Sequence, residues 1–177
     1  MTRAKRDPRI QAIVARLTSD PDMLTRIEVL LEHMDAPCPQ YIHGAADAYS
    51  TFHPRMAGLD HEELHALYLN RRNAVLACFT ITSGNDAHCI VDPKQVLREA
   101  VRLGAGAVIL AHNHPSGDAA PSLADVEVTQ RMEQAARLLG IDLLDHIIVT
   151  DDSYRSMRED GLVPSRTGSQ AFCTSGR

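Results

Sequence analysis

Hydrophobic residues recur at helical spacing in the first part of the chain. Between residues 8 and 34 they form two groups, which Ser19-Asp20-Pro21 separates. Apolar side chains three and four positions apart share one face of a helix, so this pattern predicts two short helices. Residues 37–54 are instead rich in Pro, Gly, His and small side chains. That composition predicts a connector with at most one or two helical turns.

Strand-like runs begin after Asp60. Residues 63–70 and 73–82 are apolar runs of strand length with a turn between them, which predicts a β-hairpin. The sequence Asp92-Pro93-Lys94-Gln95 then offers an N-cap, a proline at the first helical position and a glutamine at the third. It predicts a helix that ends at Gly104.

An apolar stretch, a long helical pattern and another strand pattern follow. Residues 107–111 are all apolar, as in a strand that is buried on both faces. Ser122 opens a helical pattern that stops at Gly140, and residues 141–150 have the character of a strand. This order of elements predicts an α/β fold with a mixed β-sheet flanked by helices. We expect residues 1–40 to form an N-terminal helical extension, residues 41–163 the domain and residues 164–177 a C-terminal tail.

The composition is typical of a soluble globular protein. Apolar residues make up 44% of the chain and charged residues 23%, and no apolar run approaches the ~20 residues that cross a bilayer. Residues 1–20 also lack the continuous apolar core of a signal peptide, so we expect a cytoplasmic protein without membrane contact. The cysteines include no C-x-x-C pair, which favours reduced, packed thiols over disulfides or a cysteine zinc site. They are Cys38, Cys78, Cys89 and Cys173.

The net charge argues against broad contact with nucleic acid. The formal charge is −5 at pH 7, whereas affinity for nucleic acid comes from Lys and Arg side chains that neutralise phosphates. Arg71 and Arg72 form a small candidate basic patch, but in N-R-R-N between two strand patterns they are more typical of a solvated hairpin tip. Direct DNA binding therefore has no support from charge.

Two histidines at the end of the apolar stretch are the first candidates for chemistry. Residues i and i+2 of an extended segment project to the same side, so His112 and His114 can reach one point. Neutral imidazole is a good zinc ligand, and a catalytic zinc site uses three protein ligands and leaves a fourth position for water. A divalent metal, most simply zinc, is therefore expected here.

Asp125, in the first turn of the helix that Ser122 opens, is the candidate third ligand. Ser122 and Asp125 also fit the S-x-x-D capping box, in which both side chains satisfy free amides at a helix start. Taken alone, the cap is the commoner explanation, and Ser122 can serve both roles. The neighbouring H-x-H shifts the balance towards a metal site, because a loop returning over the strand would carry the carboxylate to the imidazoles.

The chain resembles the RadC-like (UPF0758) branch of the JAB/MPN metalloprotease superfamily in the segment AHNHPSGDAAPSLADVEVTQRMEQAARLLGIDLLDHIIV. The core pattern of that superfamily is H-x-H, seven residues and then S-x-x-D. His112, His114, Ser122 and Asp125 meet it here. The resemblance covers roughly residues 45–163 and implies a three-layer fold of the cytidine-deaminase-like kind.

The resemblance also implies an activity. It implies a zinc-dependent hydrolase with one zinc ion per chain, in which a metal-activated water would attack an amide of a peptide or protein substrate, either peptide or isopeptide. Glu62, before the first core strand, would be the catalytic base, with its neighbour Glu63 left open by the residue count. Ser122 would stabilise the oxyanion. Alternative functions are a non-catalytic metal-binding scaffold and an accessory protein in DNA repair or recombination.

Two features depart from the family pattern. The Gly-rich hairpins of the helix-hairpin-helix module that usually precedes the metal domain are not found in residues 1–40. The segment before the second helix reads Val91-Asp92-Pro93-Lys94-Gln95 in place of a V-H-P-R-E type sequence. The first departure weakens any inferred DNA contact, and the second alters at most a rim of the site.

Other polar residues carry weaker expectations. Asp145 and His146 lie in the last strand pattern, where either one can orient a metal-bound imidazole from behind; a mutually satisfied buried pair explains them equally well. The remaining histidines have no ligand spacing, and we expect them at the surface or in connectors. They are His33, His43, His53, His61, His65 and His88.

Overall fold

A computed structural model describes residues 41–83 and 92–163. The predicted N-terminal helical extension and the predicted C-terminal tail lie outside the described residues. Within the two described ranges, no helix is long and apolar enough to cross a membrane. Predictions for five single residues also fall outside these ranges: Cys38, Cys89, Cys173, His33 and His88.

Two antiparallel strands form the predicted hairpin. β1 (Glu63–Leu69) pairs with β2 (Val75–Ser83). Asn70 closes the tip, because its side-chain oxygen accepts hydrogen bonds from two backbone N–H groups of the turn. Arg71 and Arg72 are exposed there, as expected of a solvated hairpin tip.

Three further strands complete a mixed sheet. β3 (Ala107–Asn113) is antiparallel to β1 and parallel to β4 (Asp142–Val149), and β5 (Tyr154–Ser156) is antiparallel to β4. The five strands lie in the order β2-β1-β3-β4-β5. Every residue of β3 is buried, which confirms the prediction of a strand covered on both faces. The strand runs past the apolar stretch and includes His112.

A helix occupies much of the segment that was predicted to be a connector. α1 (Ala45–Met56) spans 12 residues, so the prediction of at most one or two turns was wrong. Ala48, Phe52 and Met56 recur every four positions and are buried in one hydrophobic cluster with the sheet. Burial of this face outweighs the cost of Pro54, which lies in the last turn and removes a single helical hydrogen bond.

Two further helices begin where their capping signals predicted. α2 (Pro93–Leu103) follows the N-cap Asp92 and ends at Gly104, which adopts a left-handed conformation with φ 64. α3 (Leu123–Leu138) follows the N-cap Ser122.

Helices cover both faces of the sheet. α1 packs with the face that carries Leu67 and Ile109, whereas α2 and α3 pack with the face that carries Val108 and Leu110. This confirms the α/β fold with a mixed sheet flanked by helices. Side chains alternate between the two faces along each strand, so the parity of a residue decides which layer it meets.

Candidate metal centre

The end of β3 places two histidines on the sheet face that α2 and α3 cover. Val108 and Leu110 point to that face, and His112 continues the alternation. His114 follows just beyond the strand, where its backbone N–H donates to the carbonyl oxygen of Val149 at 2.9 Å. The i and i+2 arrangement therefore brings both imidazoles to one side.

His112, His114 and Asp125 converge on one point. The Nε2 atoms of the two histidines are 2.9 Å apart. His112 Nε2 lies 3.2 Å from Asp125 Oδ1, and His114 Nε2 lies 3.7 Å from Asp125 Oδ2. The three side chains form a group that can hold a metal ion, with ligand atoms within 4.8 Å of one another. In residues 41–83 and 92–163, no second group of three or more His, Cys, Asp or Glu side chains meets this criterion.

The donor set fits a zinc ion. Imidazole nitrogen and carboxylate oxygen are both zinc ligands, and bonds of about 2.0–2.2 Å in a tetrahedron separate neighbouring donors by about 3.3–3.6 Å. The separations of 2.9, 3.2 and 3.7 Å bracket that range. The three side chains are 8–18% exposed. Three protein ligands leave a tetrahedral position for water or substrate.

Asp125 combines the two roles that the sequence left open. Its Oδ2 atom accepts hydrogen bonds from the backbone N–H and from the hydroxyl of Ser122, each at 2.7 Å. The Asp125 backbone N–H in turn donates to Ser122 Oγ at 3.2 Å. This capping box fixes the carboxylate at the start of α3. One carboxylate oxygen thus caps the helix while Oδ1 faces His112.

The carboxylate and the imidazoles shift each other's proton affinities. Burial acts to raise the pKa of Asp125, but hydrogen bonds from His112 and His114 outweigh it and hold that pKa well below its usual range. The hydrogen bond that His114 donates to Asp125 raises the pKa of His114 against the effect of burial. The site therefore keeps an ionised carboxylate at ordinary pH and favours positive charge between its ligands, which is what a divalent cation supplies.

Each imidazole is held from behind by a second contact. His114 Nδ1 lies 2.6 Å from the carbonyl oxygen of Asp118 and donates its proton there. His112 Nδ1 lies 2.8 Å from Nε2 of the buried His146. Such contacts on the far ring nitrogen orient metal-binding histidines. Both Nε2 atoms remain directed to the shared point.

The sequence offered Asp145 and His146 as residues that could orient a metal-binding imidazole. Of these two, only His146 contacts a candidate ligand. Asp145 instead accepts hydrogen bonds from the Ser156 hydroxyl at 2.6 Å and from the Arg158 backbone at 3.0 Å. Burial lowers the pKa of His146 well below its usual value, and the charge of His112 adds to this effect. Asp145 belongs to the packing of β4 against β5.

The two adjacent glutamates lie on opposite sides of the first strand. Glu63 begins β1, and its carboxylate oxygen Oε2 lies 2.8 Å from Nε2 of His65. Glu62 precedes the strand and has the parity of Leu64, on the face that carries the metal ligands. It is exposed, and its negative charge makes a small contribution to the raised pKa of His114. Of the two glutamates, Glu62 is therefore the one with the parity of the ligand face.

Asn113, between the two histidines, fixes the backbone around Glu62. Its side-chain oxygen accepts a hydrogen bond from the Glu63 N–H at 2.7 Å, and its amide nitrogen donates to the His61 carbonyl oxygen at 2.8 Å. Asn113 was not among the residues predicted from the sequence, because the middle residue of H-x-H points away from the ligands. The available signal was a polar amide at a buried strand end, which requires hydrogen-bond partners.

His65 is buried, so its predicted surface position was wrong. It is 2% exposed and lies in β1 on the sheet face opposite the candidate metal centre. His43 is exposed, and His53 and His61 are half-buried, as expected for surface or connector positions. Cys78 is buried, as predicted for a packed thiol.

Comparison with known proteins adds a family context to this geometry. A family model for the RadC-like JAB domain matches residues 42–162. The matched span contains the three candidate ligands as well as Glu62 and Ser122.

Curated relatives match over the same region. The UPF0758 protein STH371 of Symbiobacterium thermophilum is 46% identical over 110 residues, which are 62% of this chain and 47% of the relative. A UPF0758 protein of Methanococcoides burtonii is 41% identical over 122 residues, 69% of this chain and 53% of the relative. A UPF0758 protein of Methanosarcina mazei is 33% identical over 153 residues, 86% of this chain and 65% of the relative. The chain thus spans about half the length of the first two relatives.

Proposed function

The chain is a member of the RadC-like JAB domain family, and we propose that it is a zinc-dependent hydrolase of peptide or isopeptide amides. The observation that carries the proposal is the convergence of His112, His114 and Asp125 on one point. Glu62 has the parity of the same sheet face. The mixed sheet with helices on both faces is the α/β JAB/MPN fold.

One zinc ion per chain is assigned to His112 Nε2, His114 Nε2 and Asp125 Oδ1. When bound, zinc acts as a Lewis acid and makes water acidic enough to be a nucleophile near neutral pH. Two histidines and one carboxylate also serve iron(II) in other proteins. The identity of the metal is therefore one result that the experiment must deliver.

Glu62 accepts the proton of the attacking water and passes it to the leaving amine. A general base has to come within hydrogen-bond reach of that proton, directly or through one water. The Asn113 clamp fixes the backbone on both sides of Glu62, while the carboxylate itself is exposed. A fixed backbone and an exposed carboxylate with the parity of the ligand face support this role.

Ser122 donates a hydrogen bond to the oxyanion that forms when the amide carbonyl is attacked. In the structure its hydroxyl donates to Asp125 Oδ2 at 2.7 Å. Rotation of the hydroxyl redirects the proton without moving the helix. A donor aimed at the oxyanion can contribute about 3 kcal/mol to transition-state stabilisation.

Elemental analysis tests the metal site. The native chain, purified without added metal, is compared with His112→Ala and Asp125→Asn, and with His43→Ala as a control for an exposed histidine outside the site. We expect about one zinc per chain in the native and control proteins and none in the other two. No metal even after zinc is supplied would leave only a capped helix and two structural histidines. Iron in place of zinc would contradict the proposed hydrolase chemistry.

Turnover on peptide and isopeptide substrates tests the role of Glu62. We expect Glu62→Gln to keep its zinc and to lose roughly a factor of 10²–10⁴ in rate, the usual range for removal of a general base. Glu63→Gln is the matched control and keeps native turnover. Full turnover by Glu62→Gln would reject the assignment of the base. If the native protein binds one zinc per chain but turns over no substrate, the result would favour a non-catalytic metal-binding scaffold over a hydrolase.

A further inference from the structure

A chain of short contacts runs from His112 into the core. Behind the ring, His112 Nδ1 lies 2.8 Å from His146 Nε2. On its other side, His146 Nδ1 lies 2.6 Å from Thr129 Oγ1. Thr129 Oγ1 lies 2.6 Å from the backbone carbonyl oxygen of Asp125, one helical turn earlier in α3. The chain therefore begins at one candidate ligand and ends at the backbone of another.

The direction of each hydrogen bond follows from the last contact. A carbonyl oxygen can only accept, so the single hydroxyl proton of Thr129 is donated to Asp125. Thr129 Oγ1 then has only lone pairs to offer to His146. His146 Nδ1 must therefore carry a proton and donate it to Thr129. The weaker contact of Thr129 with the sulfur of Met157, at 3.5 Å, does not compete with the 2.6 Å bond for that proton.

The same reasoning fixes which ring nitrogens of His146 and His112 carry protons. His146 is buried, and burial favours a neutral ring with one proton. With that proton on Nδ1, His146 Nε2 is an acceptor and can only receive a proton from His112 Nδ1. His112 then uses Nδ1 as its donor atom. Its Nε2, which lies 2.9 Å from His114 Nε2 and 3.2 Å from Asp125 Oδ1, is left as the atom that can bind the metal.

We propose that Thr129 and His146 are positioning residues that set the tautomer of His112 and aim its Nε2 lone pair at the metal position. This inference deepens the proposed metal site and rests on it. We call the hydrogen bonds from His112 through His146 to Thr129 the relay. His114 needs no such relay, because its Nδ1 donates directly to the carbonyl oxygen of Asp118. The two histidine ligands are thus oriented by different means, one within a loop and one through the core. The relay also connects the register of α3, through the Asp125 carbonyl, to the ring of His112.

Reversal of the relay would disable the site. If Thr129 donated to His146 Nδ1, His146 would carry its proton on Nε2 and donate it to His112 Nδ1. His112 would then hold its own proton on Nε2, which points at the other ligands and blocks coordination there. Thr129→Val permits this reversal, because it removes the hydroxyl oxygen at nearly constant volume. Thr129→Ser restores the oxygen and is the matched rescue variant.

The first measurement is the tautomer of each histidine in the metal-free protein at mildly alkaline pH. Nitrogen-15 NMR of the imidazole rings distinguishes protonated from unprotonated ring nitrogens. Single His→Gln variants assign the signals of His112 and His146. We expect the native protein to hold protons on Nδ1 of both rings, with His146 Nε2 unprotonated. A proton on His146 Nε2 in the native protein would overturn the relay, and this result needs no variant to fold.

The second measurement is zinc affinity by competition with a chelator. We expect Thr129→Val to move the His146 proton to Nε2 and to weaken zinc binding by about 10–100-fold, the usual range for partners that orient a metal ligand. Thr129→Ser should keep the native tautomer and the native affinity. Unchanged tautomer and affinity in Thr129→Val would also reject the relay. A native protein that binds no zinc yet shows the expected tautomers would reject the proposed function and leave the hydrogen-bond relay standing.

Discussion

At the residue scale, the alternation of side chains along β1 separates two adjacent glutamates. Glu63 turns to the α1 face, where hydrogen bonds link it to His61 and His65. Glu62 takes the parity of the metal face and stays exposed. Two identical side chains one residue apart therefore have different electrostatic surroundings. The difference makes each one a control for the other.

Glu63 is expected to stabilise the fold at neutral pH and to lose that effect in acid. Burial acts to raise its pKa, but hydrogen bonds from Ser83, His65 and His61 together lower it below the ordinary 4.5. A lowered carboxyl pKa contributes stability above the unfolded value, and the contribution disappears as pH falls through the folded value. We expect Glu63→Gln to unfold at about 1 kcal/mol lower free energy at neutral pH.

Denaturant titrations at several pH values check this expectation. The native protein should lose more stability than Glu63→Gln as pH falls below 4.5. Glu62→Gln, at an exposed position, should stay within about 0.5 kcal/mol of the native protein at neutral pH. Parallel stability curves for native protein and Glu63→Gln would show that the Glu63 hydrogen bonds contribute nothing net.

At the element scale, the cap of α3 serves both the helix and the candidate metal site. We expect Ser122→Ala to lower the free energy of unfolding by about 1 kcal/mol, the usual cost of a lost cap. It should also weaken zinc binding by about 10–100-fold, because Asp125 Oδ2 loses the hydroxyl that orients it. Unfolding titrations and chelator competition measure the two effects.

A second N-cap provides the control for this prediction. Asp92 caps α2 through a hydrogen bond from the Lys94 N–H at 2.9 Å, and it is not one of the candidate ligands. Asp92→Ala should cost similar stability and leave zinc affinity unchanged. Equal zinc affinity in the native protein, Ser122→Ala and Asp92→Ala would show that the cap of α3 does not contribute to zinc binding.

Elements with local start and stop signals were predictable, and elements that depend on tertiary burial were not. The signals that delimit α2 and α3 act through hydrogen bonds between near neighbours. They are Asp92-Pro93, Gly104 and Ser122. α1 contains Pro54 and begins after Gly44, so its local composition predicts a connector. Burial of Phe52 against the sheet decides the matter instead, and that contact is remote in sequence. β5 has three residues, which is too short for a pattern of its own.

The candidate site also has parts that the sequence predicted and parts that depend on tertiary contacts. The spacing of His112 and His114 fixes their relation along one extended segment, so it could be predicted from the sequence. The sheet face of Glu62 could be assigned only from the register of β1 against β3, which places Leu64 opposite His112. The contact of Thr129 with His146 joins α3 to β4 and leaves no periodic signal in either element.

At the scale of the whole molecule, strand order gathers the candidate site. β3 lies between β1 and β4, antiparallel to the first and parallel to the second. The start of β1 and the ends of β3 and β4 therefore meet at one edge of the sheet. α3 begins at that edge, which brings Asp125 to the histidines. Ligand binding at this edge bridges a helix and the sheet, so it should stabilise the folded chain as a whole.

Zinc is accordingly expected to raise the thermal stability of the protein. A ligand that binds only the folded state at about 100 times its Kd adds about 2.7 kcal/mol to the free energy of unfolding. For a chain of this size that corresponds to a rise of roughly 5–10 °C in Tm. Asp125→Asn should show little rise at the same zinc concentration, because it loses the anionic ligand. Magnesium should also have little effect on the native protein, since it prefers oxygen ligands and keeps its waters. An equal rise in Asp125→Asn would mean that zinc stabilises the chain at some other place, and thermal denaturation of the two proteins side by side decides between these outcomes.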